Sequence, residues 1–264
     1  NYTWQLERTP DKLYGEPGDL WLSVLPVWHS FERLLQYIAL ERASGIVYSK
    51  PVASVMFPDI AAMKPHIIPG VPRLWEALAS GILRQIKKEG GVKKALFTFF
   101  VGVGKQYCIF RDMTFGRVAR FKKRSRLLDS ILGFIPWLLI LPLRSLGDAL
   151  IYSKIRAKLG GRVRICISGG GALQGEVDAF YRAIGLTMIE GYGITETAPL
   201  LSLRDQWKPR PGCVGDVFTD TECRIVDPEL LARAIEEAAG GDWTIPEALP
   251  PGKNGVIVVR GGQV

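Results

Sequence analysis

The chain has 264 residues, 47% of them hydrophobic and 23% charged, with a formal net charge of +8. That balance excludes a disordered or collagen-like chain, and the length allows one large domain or two small ones. Cys108, Cys166, Cys213 and Cys223 form no CxxC pair, and the two histidines, His29 and His66, stand far from any cysteine cluster. Neither a zinc site nor a disulfide framework is indicated, and a reducing compartment fits.

In chain order, Leu20 to Val24 reads as a short buried strand that Pro26 ends. Ser30 to Ser44 has a helical rhythm, with Phe31, Leu34, Leu35, Ile38 and Ala39 on one face, and Gly45 stands where a C-terminal cap belongs. GIVY and HIIPG follow as strands. Pro72 opens a helix whose apolar face is Leu74, Trp75, Leu78, Ile82 and Ile86. Leu143 to Leu159 is helical again, stopped by Gly160 and Gly161. Val163–Ser168 then reads as a strand, GGG as a loop, Glu176–Ile184 as a helix and Leu186–Glu190 as a strand. That spacing is a βαβ unit, which predicts an α/β fold with a parallel sheet and ligands at the carboxyl ends of its strands. ECRIVD and VIVVR read as strands of a smaller β-rich region.

Two glycine-rich strings fall at predicted strand ends, SGGGAL (Ser168–Leu173) and EGYGITETAP (Glu190–Pro199). Glycine lets backbone approach a flat or anionic ligand closely, and free N–H groups in such turns attract phosphate. Thr195 offers a hydroxyl to a phosphate oxygen, Glu196 a carboxylate to magnesium, and Tyr192 a ring to a base. The competing reading is a glycine-rich turn with Thr195 capping the next helix. Two such loops one βαβ unit apart favour a nucleotide site.

YGITETAP resembles the signature of the adenylate-forming (AMP-binding) superfamily, which includes acyl-CoA synthetases, luciferases and peptide-synthetase adenylation domains. SGGGAL is similar to that family's adenine-side loop. PGCVGDVFTDTECRIVDPE (Pro211–Glu229) resembles the stretch that follows, and LPVWHSFER (Leu25–Arg33) resembles an LPxxHxxE segment lining the acyl site. KPHIIPGVPRLWE (Lys64–Glu76) is similar to a stretch of the long-chain fatty-acid branch. The resemblance implies the parallel-sheet αβ layers of the family's N-terminal domain over residues 1–210, carrying a basic and apolar insertion at about 90–145. The start of a smaller β-rich subdomain would occupy 211–264. It implies a long-chain fatty acid–CoA ligase, which uses ATP and Mg2+ to form acyl-AMP and then passes the acyl group to coenzyme A. An acyl-carrier-protein acceptor is the alternative within that chemistry, and a non-catalytic membrane-binding remnant is the alternative outside it.

Carried over residue by residue, Gly169, Gly170 and Gly171 would line the adenylate pocket. Glu190, Gly191, Tyr192 and Gly193 would flank the nucleotide. Thr195 would contact phosphate, Glu196 would hold magnesium, and His29 would stand near the acyl and phosphate groups. The competing reading of His29 is a core histidine with a satisfied hydrogen bond. The family's phosphate loop, its ribose-gripping aspartate and its C-terminal lid have no counterpart in the sequence. The chain therefore reads as an internal piece of a longer protein, not expected to turn over alone.

Residues 84–164 hold 19 Lys and Arg against Glu89, Asp112, Asp129 and Asp148, a net of +15 that leaves −7 for the rest. Such a basic middle implies an anionic partner, nucleic acid, phospholipid or a phosphorylated ligand, the competing reading being a solvated loop with a lysine excess. GRVARFKKRSR (Gly116–Arg126) is followed by the apolar run ILGFIPWLLILPL (Ile131–Leu143). Thirteen residues are too few to span a bilayer, and Pro136 and Pro142 argue against one straight helix. The favoured reading is a peripheral contact through 116–143 on the cytoplasmic face of a membrane, with Phe134 and Trp137 beneath the headgroups. A buried hairpin walling a fatty-acid tunnel is the alternative. Nucleic acid is disfavoured, because the aromatic residues do not interleave with the basic ones.

Overall fold

In a computed structural model of the chain, consecutive strand residues face opposite ways, and the hydrophobic pattern sends each to its own layer. Trp21 and Leu22, Ile67 and Ile68, Ile167 and Cys166, Ile189 and Met188 are all buried, yet each pair divides between two separate cores. Strands buried on both faces need cover on both, which is the condition of a mainly parallel sheet between helices. The structure describes residues 1–119, 125–238, 240–242 and 244–264.

Helix α1 (Tyr2–Arg8) leads to β1 (Leu20–Ser23), α2 (Ser30–Glu41), β2 (Gly45–Tyr48), α3 (Ala53–Met63), β3 (Ile67–Gly70) and α4 (Pro72–Glu89). Two long helices follow, α5 (Gly91–Thr114) and α6 (Arg126–Gly147), then a π-helical turn over Asp148–Tyr152 and α7 (Ser153–Lys158). The expected βαβ unit is β4 (Ile165–Ser168), α8 (Gly175–Ala183) and β5 (Thr187–Tyr192). Short strands β6 (Ser202–Leu203) and β7 (Asp216–Val217) complete a sheet of order β2-β1-β3-β4-β5-β6-β7. Strands β8 (Glu222–Val226) and β9 (Val256–Arg260) pair antiparallel in a second sheet, joined through α9 (Pro228–Glu237).

The first five strands run parallel, whereas β6 returns antiparallel to β5 and β7 pairs antiparallel to β6. On one face α2 buries Phe31, Leu34, Leu35 and Ile38 against Ile167 and Ile189. On the other, α4, α5, α7 and α8 bring Trp75, Ile82, Phe97, Ile155 and Phe180 over Ile68, Cys166 and Met188. The register Gly70↔Ser168 and Ser168↔Glu190 brings β3, β4 and β5 to one level at their carboxyl ends. Both glycine strings leave the sheet there.

Two local expectations are corrected. Gly45 does not cap α2: it opens β2, and Ala43, at φ +50°, takes the left-handed turn instead. Pro136 and Pro142 do not break the apolar run: α6 passes through both, and helix continues to Lys158 through the π turn. Each proline removes one helical hydrogen bond, but α6 packs closely along α5, where a Cβ at Gly133 would stand 2.8 Å from the Phe110 carbonyl oxygen. That tertiary contact overrides the local penalty. The run Arg126–Lys158, 33 residues, is long and apolar enough to cross a membrane by length and composition, unlike the 13-residue stretch read from the sequence. Trp137 packs edge-on to Phe115 at 5.3 Å instead of projecting freely, while Leu127 and Leu139 are 72% and 75% exposed. Lys122, Lys123 and Arg124 of the basic string lie outside the described residues.

Candidate functional site

A cavity of about 360 Å³ opens at the carboxyl ends of β4 and β5, lined among others by His29, Gly169, Gly170, Gly191, Gly193, Thr195 and Glu196. Those seven expected residues therefore meet. Gly171, Glu190 and Tyr192 do not line it. Ser30, Phe31, Ile194, Pro199 and Leu200 line it as well, although none was singled out as a site residue from the sequence.

The floor is built by close approach. Gly169 is buried, and a Cβ there would stand 2.9 Å from the Phe31 ring. Gly170 takes φ +79°, a conformation strained for any side chain. After β5 the chain turns through a 3₁₀ helix, Thr195–Thr197, and comes straight back as β6. A Cβ on Gly193 would collide with the Pro199 carbonyl oxygen, so only glycine allows that fold-back. The Thr197 hydroxyl, buried inside the turn, accepts from the Ile194 N–H at 3.1 Å and lies 3.0 Å from the Pro199 carbonyl. With Thr197 holding the turn together, Thr195 and Glu196 are left exposed at the cavity.

Thr195 Oγ1 lies 3.4 Å from Ser30 Oγ. Glu196 makes no side-chain hydrogen bond or ion pair among the described residues. His29 caps α2, its Nδ1 accepting from the Phe31 N–H at 3.2 Å, which places the ring proton on Nε2. It is therefore an exposed capping histidine and not a core one. Glu32, the acidic residue of the same motif, points away from the cavity: the Ser23 hydroxyl donates to its Oε1, and burial pushes its carboxyl above the usual range against the hydrogen bonds that lower it. The other histidine is a backbone pin. His66 Nδ1 accepts from the Leu20 N–H at 2.9 Å, and burial, reinforced by Arg162, holds its pKa below the usual value despite Asp19 nearby.

Glu190 is a strut between the two loops. Its Oε1 accepts from the Leu173 N–H at 3.0 Å, and its Oε2 pairs with Arg204 Nη2 at 2.8 Å. Arg204 is 1% exposed and also reaches Asp178 at 3.1 Å and the Cys213 carbonyl at 3.0 Å. From the far end of the sequence, the amide of Gln5 donates to the Thr197 carbonyl at 2.5 Å and the Leu200 carbonyl at 2.8 Å, while its oxygen accepts from the Leu200 N–H at 3.3 Å. Sequence reasoning missed both residues. A buried Arg among acidic residues has no local signature, and Gln5 reads as an ordinary helical glutamine.

Among the described residues no group of three or more His, Cys, Asp or Glu gathers that could hold a metal ion by itself. An unpartnered carboxylate beside a hydroxyl suits magnesium, which takes one or two protein carboxylates and leaves its other positions to phosphate oxygens and water. Glu196 would be that ligand.

A glycine-walled cavity at the strand ends of a parallel sheet, with a hydroxyl, a free carboxylate and room for a flat ligand, defines a nucleotide-binding α/β domain. The chain belongs to the family of AMP-binding enzymes, which it matches over residues 1–264; adenylate-forming ligases of the acyl-CoA and acyl-carrier-protein type are among that family's members. It is 31% identical over 271 residues to the long-chain-fatty-acid–acyl-carrier-protein ligase AEE15, chloroplastic, of Arabidopsis thaliana, covering 100% of this chain and 34% of that protein. It is 29% identical over 246 residues to the long chain acyl-CoA synthetase 6, peroxisomal, of the same plant, covering 92% of this chain and 29% of the relative. The chain thus spans about a third of the length of the curated relatives it matches. The fold is also that of the apo MatB crystal structure from Rhodopseudomonas palustris, at TM-score 0.55 and 17% identity over 100% of this chain and 36% of that one. The anthranilate CoA ligase AuaEII in complex with anthranoyl-AMP gives TM-score 0.57 and 16% identity over 99% and 35%.

Proposed function

We propose that the full-length protein is a long-chain fatty acid–CoA ligase, in which this chain supplies most of the adenylate pocket. A fatty-acid carboxylate oxygen attacks the α-phosphorus of ATP, giving acyl-AMP and pyrophosphate. The thiol of coenzyme A then attacks the acyl carbon and expels AMP. The observation that carries this reading is the pairing of exposed Thr195 and unpartnered Glu196 with two glycine loops at one level of the sheet. Transfer at phosphorus asks for positioning and charge neutralisation more than for a protein nucleophile. Gly169, Gly170, Gly191 and Gly193 let the nucleotide lie against backbone. The Thr195 hydroxyl donates to a phosphate oxygen, Ser30 sets its direction, and the His29 Nε2–H faces the reacting carboxylate. Magnesium, held by Glu196, would neutralise phosphate charge. Tyr192, 39% exposed on the strand leading into the turn but outside the cavity lining, would offer its ring to the base from beside it. The relative named as an acyl-carrier-protein ligase keeps that acceptor as the second reading, and thioester formation with each thiol decides between them.

Fatty-acid-dependent ATP–pyrophosphate exchange on the full-length protein tests the reading. Glu196→Ala is expected to lower exchange by about 100-fold, a metal ligand being worth at least as much as the groups that support one. Its melting temperature is expected to stay unchanged, because the carboxylate holds nothing in the fold. Undiminished exchange would remove Glu196 from the site.

We also propose a peripheral membrane contact through α6, on the cytoplasmic face where a lipid-soluble acid meets ATP. Ile131, Ile135 and Leu139 recur every fourth residue and are 56%, 62% and 75% exposed. The helix lies along the surface because its opposite side is taken by α5, with Gly133 buried against it. Replacing those three with serine is expected to weaken partition onto liposomes by more than about tenfold. Unchanged partition in a sedimentation assay would refute the contact.

A further inference from the structure

A second cavity, of about 340 Å³, lies between α4, α5, the π turn and α7, and shares no residue with the adenylate pocket. It is on the opposite face of the sheet: Ile82, Phe97 and Ile155 in its wall belong to the core over Cys166 and Met188, whereas Phe31 and Leu200 of the adenylate pocket belong to the core over Ile167 and Ile189. Ile86, Leu96, Leu150 and Ile151 complete walls that are mainly hydrocarbon.

The mouth has the opposite character. Lys93, Lys154 and Lys158 stand around it against the single carboxylate of Glu89. Lys93 pairs with Glu89 at 3.3 Å and Lys158 donates to Gln85 at 2.5 Å, which leaves the Lys154 ammonium without a partner among the described residues. The backbone contributes as well. Leu150 and Ile151 come from the π turn, the one break in an otherwise α-helical run, and such turns recur at functional sites. The turn has an identifiable anchor: Arg156 Nη1, from α7, bonds Asp148 Oδ1 at the start of the turn at 2.6 Å and the Ile184 carbonyl at the end of α8 at 2.7 Å.

A hydrocarbon cavity within the usual size range of ligand sites, with two surplus positive charges at its mouth, complements one chemical form: a single aliphatic chain ending in an anion. We propose that this cavity binds a single-chain amphiphile with a carboxylate or phosphate head, its chain between Ile82, Phe97 and Ile155 and its head on Lys154. The site is separate from the adenylation centre and holds whether or not the substrate of that centre is a long-chain acid.

The test uses the full-length protein and dodecyl phosphate, which carries no carboxylate to be adenylated. Binding is measured below its micelle concentration by calorimetry, with dodecyltrimethylammonium as the cationic control. A parallel arm presents a lysophosphatidate in neutral vesicles. Capture from solution assigns a free amphiphile, and capture only from vesicles assigns a bilayer lipid. In either arm Lys154→Glu should weaken binding about tenfold. Leu150→Trp, which fills the cavity from a partly exposed position, should abolish it, and ATP–pyrophosphate exchange should be unchanged in both variants. Equal binding of the cation, or binding that survives both substitutions, would overturn the proposal.

Discussion

Replacing Arg204 with methionine in the full-length protein is expected to cost about 3–5 kcal/mol of stability and to lower the melting temperature by on the order of 10 °C. The guanidinium is 1% exposed and is shared between the carboxylates of Asp178 and Glu190. Methionine fills the space but leaves two buried carboxylates without a counter-charge, and that, more than the lost attraction, sets the size of the effect. Arg204→Lys should recover only part of it, since one ammonium cannot replace a fork that also reaches the Cys213 carbonyl. The mechanism has its own check: adding Asp178→Asn and Glu190→Gln to Arg204→Met should restore much of the lost stability in thermal unfolding. If the triple variant is no more stable than the single one, uncompensated charge is not the cause.

Gln5→Leu is expected to reduce adenylation by about 100-fold or more while sparing the sheet. Three buried backbone groups in the turn beside Thr195 and Glu196 lose their partner: the Thr197 and Leu200 carbonyls and the Leu200 N–H. Each unsatisfied buried group costs about 1–3 kcal/mol, and each 1.4 kcal/mol is about tenfold in a rate that depends on the native turn. Gln5→Glu keeps the acceptor and loses both donors, so its defect should be similar. Hydrogen exchange separates the two explanations. Protection of the Leu200 and Leu201 amides should fall while that of β3 and β4 is kept. Uniform loss of protection would make Gln5 a general stability residue, and intact exchange activity would show that the turn holds without it.

These two residues also mark where sequence reasoning stops. The elements legible in the chain were those whose pattern is local: the short apolar runs LWLS, GIVY and ICIS, the Pro72 start of α4, and the strand ends carrying glycine strings. Six of the seven expected residues converge because strand register brings SGGGAL and EGYGITET level, and His29 joins them from the start of α2. What was not legible depends on distant partners. Glu190 sits inside the signature and reads as a ligand group, but it faces a buried arginine fourteen positions on. Pro136 and Pro142 argue for a break that α5 prevents by packing against the whole of α6. Helix α5 itself was not expected, because GVGKQYC interrupts its apolar rhythm with glycines, one of which, Gly104, is buried against Ala183.

The reach of the Gln5 clasp bears on the order in which the molecule takes shape. The β4–α8–β5 unit closes over a short stretch of chain. The bonds from Gln5 to Thr197 and Leu200 close over 192 and 195 positions. Closures of high contact order form late, after the segments they join are already compact. The loops would therefore acquire their level before their final stiffness. Until α1 docks, a newly made chain would hold the nucleotide turn in an open, exchanging form, so that competence to bind ATP would report completion of the whole domain.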